Sequence, residues 1–289
     1  TSSDLYPKYL AYLFLTVIWR DQIRANVMGI KVFSITQQLL RDTYIYVPPI
    51  SEQKCIAKLL DKSCAKLDKI IMNLQRQIEL LQKYKKSLIT ETVTEGLDKN
   101  VEMKNSGISW IGAIPNSWKI KRLKYLTKKI GSGKTPKGGS EIYDTEGVVF
   151  IRSQNVYDDG LHLDDVQYIS DYIDADMQTT RLKKGDLLFN ITGASIARCC
   201  LYDLDDRGNV NQHVCIIRLK KEYSNSYYRY VMSSEVGKVQ TAINQMGGNR
   251  ESLTFEQIGN FDVPLPPVDE QKRIAAFLYV NRYCTRSGK

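Results

Sequence analysis

Histidine is scarce in this 289-residue chain. There are two, His162 and His213, beside six cysteines of which no pair has the CxxC spacing. Structural zinc needs four nitrogen or sulfur ligands, usually in close pairs, so a zinc site is not expected. Cys55, Cys64, Cys199, Cys200, Cys215 and Cys284 are read as reduced thiols of an intracellular protein. Long apolar runs are also missing. The best candidate, residues 9–18, falls well short of the ~20 residues that a membrane helix requires. There is no signal segment and no initiator Met, so a cytoplasmic chain with an incomplete N-terminus is expected.

Catalytic motifs are missing as well. No HExxH, GxSxG, NPPY or DPPY occurs, and no glycine-rich cofactor loop follows a strand. The acidic pairs Asp158-Asp159, Asp164-Asp165 and Asp205-Asp206 lack a following E-x-K, and neighbours on a strand point apart. Gly133-Lys134-Thr135 imitates the end of a nucleotide-binding P-loop. The pattern needs glycine at the position of Lys128, and Pro136 prevents the loop from feeding a helix. No catalytic residue, metal ligand or cofactor is assigned, and the chain is read as non-enzymatic.

What is present is charge, unevenly spread. The net charge is +9. Residues 119–137 hold eight Lys/Arg and no acid, whereas residues 141–176 hold ten Asp/Glu and one Arg. One face should therefore attract phosphate and another repel it.

The chain also repeats itself. PPISEQKCIAKLL at 48–60 returns as PPVDEQKRIAAFL at 266–278. Sliding residues 8–60 onto 226–278 without a gap, an offset of 218, gives 16 identities in 53 positions. They include Tyr9/Tyr227, Tyr12/Tyr230, Asn26/Asn244, Met28/Met246, Gly29/Gly247, Ser34/Ser252 and Thr36/Thr254. The period is too long for a solenoid, so the repeat is domain-sized.

Within a repeat, residues 227–245 suggest one helix ended by Gly247-Gly248. Thr254 opens a short helical turn, 261–265 is a strand, and Pro266-Pro267 stops it. Asp269, like Ser51 in the first copy, is expected to cap the next helix. From Ala57, the positions Leu60, Cys64, Leu67, Ile71, Leu74, Ile78, Leu81, Lys85 and Leu88 alternate three and four apart. This heptad seam, broken only by Lys85, predicts a helix of roughly 65 Å that needs a partner helix. Short apolar runs at 148–152, 185–192 and 214–219 read as strands. The expected fold class is α/β (α+β): a domain on a curved mixed sheet, plus a long coiled-coil helix.

Several segments together carry a family likeness. They are WIGAIPNSWK (110–119), RLKYL (122–126), GKTP (133–136), FIRSQN (150–155), KGDLL (184–188) with Thr192-Gly193, Asn211-Gln212, and LPPVDEQKRIA (265–275). In this order they make the chain resemble the specificity (S) subunit of type I restriction–modification systems. The resemblance implies two target-recognition domains alternating with two long helices that pair antiparallel and space two DNA half-sites. It assigns residues 1–50 to the tail of a first recognition domain and 51–97 to the first helix. A linker at 98–118, a recognition domain at 119–268 and the start of a second helix at 269–289 follow; that helix loses its pattern after Leu278. It also implies partners: double-stranded DNA, methyltransferase (M) subunits that use S-adenosylmethionine, and restriction (R) subunits, in a prokaryotic cytoplasm. Two other readings stay open: an interaction subunit that sequesters M subunits, and the specificity part of a different methylation system.

Residue types then suggest the DNA contacts. Lys128, Lys129, Lys134, Thr135 and Lys137, from the acid-free run, would hold phosphates. Ser153, Gln154, Asn155, Ser195, Arg198, Asn249 and Arg250 are polar loop residues suited to base edges. Leu67, Ile71, Leu74, Ile78 and Leu81 would pair the helix, in a homodimer if no second helix is available within the chain.

Overall fold

The computed structural model describes residues 4–27, 34–136, 142–245 and 252–283. The chain divides into two compact units, Thr1–Leu81 and Gln82–Lys289.

The first unit contains α1 (Pro7–Leu13), α2 (Val17–Asn26), α3 (Gln37–Arg41) and the start of α4 (Ile50–Glu95). Thr16 and Thr36 cap α2 and α3 through their side-chain oxygens. Tyr9, Ile23 and Ala57 form the small buried interior. The carbonyl of Pro49 accepts the amides of Glu52 (2.9 Å) and Gln53 (3.0 Å), so α4 starts one residue before Ser51. In the second copy Pro267 accepts from Glu270 and Gln271, both at 3.0 Å, and α9 (Val268–Tyr283) begins before Asp269. Ser51 and Asp269 thus lie inside the first turn rather than capping it. Proline has no amide to lose there, and its carbonyl is free to accept.

The second unit begins with the end of α4, stopped by Gly96, whose φ of +79° is left-handed. The stretch expected as a linker carries the hairpin β1 (Met103–Asn105) and β2 (Ala113–Pro115). Ile111 and Ile114 from this stretch are buried in the main core, because a loop this apolar loses less by packing than by exposure. Next come β3 (Lys119–Arg122), β4 (Thr127–Ser132), β5 (Val148–Ile151), β6 (Val156–Tyr157), β7 (Gly160–Leu161) and β8 (Gln167–Ile169). After α5 (Asp171–Asp176) follow β9 (Leu187–Asn190), β10 (Cys199–Leu201), β11 (Gly208–Val210) and β12 (Val214–Leu219). The unit ends with α6 (Asn225–Ser233), α7 (Glu235–Gln245), α8 (Phe255–Gly259), β13 (Asp262–Leu265) and α9.

Two sheets organise this unit. One is antiparallel, in the order β10-β9-β12-β4; the other, β11-β5-β8, mixes a parallel and an antiparallel pair. Alternation along the strands fills both faces of the first sheet. Leu187, Phe189, Cys199, Cys215 and Ile217 enter the core with α6, α8, α9 and Val93 of α4. Leu188, Cys200, Val214 and Ile216 face Val149, Ile151 and Val210 of the second sheet. Burial on both sides is why these strands read as continuous apolar runs.

The single helix expected over 227–245 is two. Ser234 is extended, and its hydroxyl donates to the carbonyl of Val231 at 2.7 Å. Gly237 permits the sharp junction, since a Cβ there would meet the carbonyl oxygen of Met232 at 2.1 Å. The expected stop at Gly247-Gly248 lies outside the described residues, as do Met28, Gly29 and Met246 of the repeat.

The duplication persists in hydrogen bonds. Gln53 accepts from the amide of Tyr6 (2.8 Å) and donates to the carbonyl of Pro48 (2.7 Å). At the same offset, Gln271 accepts from Ser224 and donates to Pro266, both at 2.9 Å. Gln22 brackets the backbone of Tyr44 (2.8 and 3.0 Å) as Gln240 brackets Asp262 (2.7 and 3.0 Å). Asn26 and Asn244 each donate to the carbonyl four residues back at 2.8 Å. In both copies one buried glutamine therefore ties the double proline and the helix start to the segment before the first helix of the repeat.

Candidate nucleic-acid interface

Three loops meet at one end of the antiparallel sheet. The 153–157 segment leaves β5, the 191–198 turn joins β9 to β10, and the 211–213 turn joins β11 to β12. Asn190, fully buried, ties the first two: its Nδ2 donates to the carbonyl of Ser153 (2.8 Å) and to Ser195 Oγ (3.0 Å). The amide of Ile191 donates to the carbonyl of His213 (3.1 Å), and Thr192 Oγ1 lies 2.7 Å from His213 Nδ1. The amide of Asn211 reaches the carbonyl of Ile151 at 3.1 Å. Ser153, Ser195 and Arg198 are half-buried and Gln154 is exposed, so this end presents polar groups on a laced frame.

Gly133 brings the GKT segment to the same place. A Cβ there would sit 1.5 Å from the carbonyl oxygen of Val210, so only glycine allows the contact. Lys134 and Thr135 follow, both exposed. This is the structural reason for a P-loop look-alike: a close backbone approach, with no helix behind it.

Not every expected contact gathers here. Lys128 and Lys129 lie three to four residues, roughly 10–13 Å, back along β4 from Ser132. Lys128 is exposed, but Lys129 pairs in register with Arg218, and its Nζ donates to the carbonyl of Thr179. Burial, reinforced by the Arg218 guanidinium, pulls the Lys129 ammonium below its ordinary pKa. Asn155 also departs from the expectation of a base reader. It is 0% exposed, its Oδ1 accepts from the amide of Arg152 (3.0 Å), and its Nδ2 donates to His162 O (2.9 Å) and Asp165 Oδ1 (3.0 Å). A carboxamide so engaged caps its own loop. The Gln154 amide donates to Asp165 Oδ2. Lys137, Asn249 and Arg250 lie outside the described residues.

Residues that sequence reasoning passed over also sit here. Tyr157 stacks on His162 with centroids 4.1 Å apart, and the Arg198 guanidinium lies 4.3 Å from the centre of the Tyr157 ring. His213 lies in the 211–213 turn, and His162, just after β7, reaches the 153–157 segment by stacking on Tyr157. Among the described residues, no group of three or more His, Cys, Asp or Glu is placed to hold a metal ion.

On α4, Leu67, Ile71, Leu74, Ile78 and Leu81 are 52–66% exposed, an apolar line without cover among the described residues. No helix among the described residues is long and apolar enough to cross a membrane.

Comparison with known proteins agrees with this architecture. Residues 115–282 match the type I restriction modification DNA specificity domain, and the chain belongs to that family. It is similar to the type I restriction enzyme EcoBI specificity subunit of Escherichia coli, 27% identical over 284 residues, covering 94% of this chain and 58% of that one. The MjaVIII specificity subunit of Methanocaldococcus jannaschii is 28% identical over 271 residues, covering 91% and 61%. The chain thus spans about three fifths of the length of these relatives. Among solved structures, a chain from work on complex assembly and conformational transition of the type I R-M system superposes with a TM-score of 0.70 at 20% identity, covering 97% and 64%. The HsdS subunit of Thermoanaerobacter tengcongensis gives 0.52 at 18%, covering 98% and 64%.

Proposed function

We propose that this chain is a specificity component that reads one half-site of double-stranded DNA and docks the methyltransferase subunits that modify it. The observation that supports this best is the laced end of the antiparallel sheet. There, Asn190 ties the loops of Ser153 and Ser195, and Gly133 packs on Val210 and Asn211 just before the exposed Lys134 and Thr135, so base-reading and phosphate-holding chemistry would lie at one end of the sheet. Lys128 extends the basic edge; Lys137, Asn249 and Arg250 remain part of the proposed DNA-contacting set. Methyl transfer from S-adenosylmethionine would belong to the methyltransferase partner and cleavage to restriction subunits, in the prokaryotic cytoplasm. The test is binding of duplex DNA at several salt concentrations. Lys134→Ala should weaken binding to all sequences and reduce the salt slope by about one. An unchanged slope removes Lys134 from the phosphate set, and a chain that enriches no sequence from a random library removes the reading.

The exposed seam favours a second element of the same proposal: two copies pair through Leu67, Ile71, Leu74, Ile78 and Leu81, bringing two half-site readers together. Sedimentation should show a dimer at micromolar concentration that Leu74→Asp converts to monomer. A wild-type monomer that this change leaves unaltered would exclude pairing.

A further inference from the structure

We propose that the turn between β9 and β10 is a pre-organised guanine reader in which Arg198 makes the contact and Tyr157, Asp158 and Asn190 are positioning residues; this rests on the DNA-recognition reading above. Four independent features converge on that side chain.

The first is backbone strain. Ala197 has φ +67°, the one left-handed residue other than glycine among the described residues, and it is buried. An L side chain avoids this conformation unless its surroundings impose it, and such strain gathers at working sites. Here the surroundings do impose it. The amide of Ala197 donates to Asn190 O at 2.9 Å, that of Asn190 to Arg198 O at 3.0 Å, and that of Arg198 to Ser195 O at 3.2 Å.

The second is the Asn190 latch, which binds the turn to the neighbouring Ser153 loop and leaves its own buried Oδ1 without a partner among the described residues. A buried acceptor left open is unfavourable, and the two bonds made by Nδ2 offset that cost while fixing the geometry of the turn.

The third is the platform. The guanidinium lies over the Tyr157 ring, and Tyr157 stacks on His162, whose Nε2–H donates to Asp159 Oδ1 at 2.9 Å. Platform and guanidinium are held in register by the residues directly after them: Asp158 Oδ1 accepts from the amide of Cys199 at 3.0 Å, while Asp158 Oδ2 pairs with Lys238 at 2.9 Å.

The fourth is the free edge of the guanidinium. Arg181, Arg207 and Arg218 each bond a carboxylate, but among the described residues no carboxylate pairs with Arg198. A guanidinium whose face is stacked and whose N–H edge meets no carboxylate among the described residues suits the two acceptors of a guanine in the major groove. Fixing it beforehand lowers the ordering cost of binding.

The experiment selects the full chain and its variants on a randomised duplex library and measures the order of the Arg198 Nε–H by NMR relaxation without DNA. Arg198→Ala should lose roughly tenfold or more of its preference for guanine at one position, with other positions unchanged. Tyr157→Leu should lose several-fold of the same preference and disorder the Nε–H, while Tyr157→Phe keeps both. Ala197→Gly should raise Tm and yet lower the preference, an outcome that a purely structural role would not produce. If Arg198→Ala leaves the base profile intact and lowers the salt slope instead, Arg198 holds a phosphate and the guanine assignment is wrong. If Tyr157→Leu matches Tyr157→Phe in Nε–H order, the positioning role is wrong, even where the chain selects no sequence and the DNA-recognition reading itself has failed.

Discussion

The two copies of the repeat have the same hydrogen-bonded skeleton in different surroundings. Gln53 and Gln271 are both fully buried and make matching bonds. The side chains around them do not match. Met232 and Val236 are fully buried in the second copy, whereas Phe14 and Ile18 at the same offset are 40% and 69% exposed. Residues 262–265 form β13 because β3 pairs with them; the equivalent residues 44–47 belong to no strand among the described residues. Tyr227 donates to the carbonyl of Val93 at the end of α4, whereas Tyr9 turns to Tyr46. Local identities carry the turns, caps and clamps, while burial and strand pairing follow from what lies alongside.

The shared clamp depends most on the two glutamines. Gln271→Ala strands the amide of Ser224 and the carbonyl of Pro266, and should cost about 2–4 kcal/mol. Gln53→Ala should cost the first copy a similar amount, read by hydrogen exchange in α1 as against α6. A large loss in one copy alone would show that the clamp is not a shared device.

Next in size is the glutamate beside it. Trp118 Nε1 donates to Glu270 Oε2 at 2.9 Å, so Glu270→Ala should cost about 1.5–3 kcal/mol in denaturant unfolding. The matching Glu52 is exposed, and Glu52→Ala should stay within about 0.5 kcal/mol. Equal costs would contradict the assignment of Trp118 as the partner that distinguishes the copies.

A tyrosine pair sharpens the contrast. Tyr12 Oη donates to Asp61 Oδ1 at 2.8 Å, and Lys8 pairs with the same carboxylate at 2.6 Å. Tyr230 replaces Tyr12 in the second copy, and its buried hydroxyl has no partner among the described residues. Tyr230→Phe should hold or raise stability by up to about 1 kcal/mol, while Tyr12→Phe should lower that of the first copy. The Lys8 and Tyr12 bonds hold the Asp61 carboxyl below its ordinary pKa. This contribution is therefore complete above the ordinary carboxylate pKa and is lost as pH falls through the lower folded value. Acid should loosen α1 before α6 in hydrogen exchange.

The smallest effect is chemical. Burial pushes the thiols of Cys200 and Cys215 up to about 12 and raises that of Cys199. Alkylation near pH 8 should label exposed Cys55 and half-buried Cys64 and leave these three unmodified until the unit opens.

Much of the fold was legible because its signals are local. The α4 seam, the double-proline stops and the apolar strands each follow from a few residues whose period or backbone chemistry admits one reading. The Thr254–Gln257 capping box, with bonds of 2.8 and 3.2 Å, is of this kind. The break at Ser234 was not legible, because the segments of α6 and α7 both suit a helix and the junction depends on Gly237 passing close to the Met232 carbonyl. Residue type suggested Ser153, Ser195 and Arg198 for the site, yet gave no reason to separate them from Asn155, whose amide is engaged within its own loop.

Periodicity and proline chemistry thus set, without further information, where this chain turns, where its long helix runs and that one motif occurs twice. Which polar side chains face outward, which strand finds a neighbour and why Ala197 adopts a left-handed backbone were settled by folding. Those outcomes depend on atoms tens of residues apart competing for the same hydrogen bonds and the same space, and no short window of sequence contains both competitors.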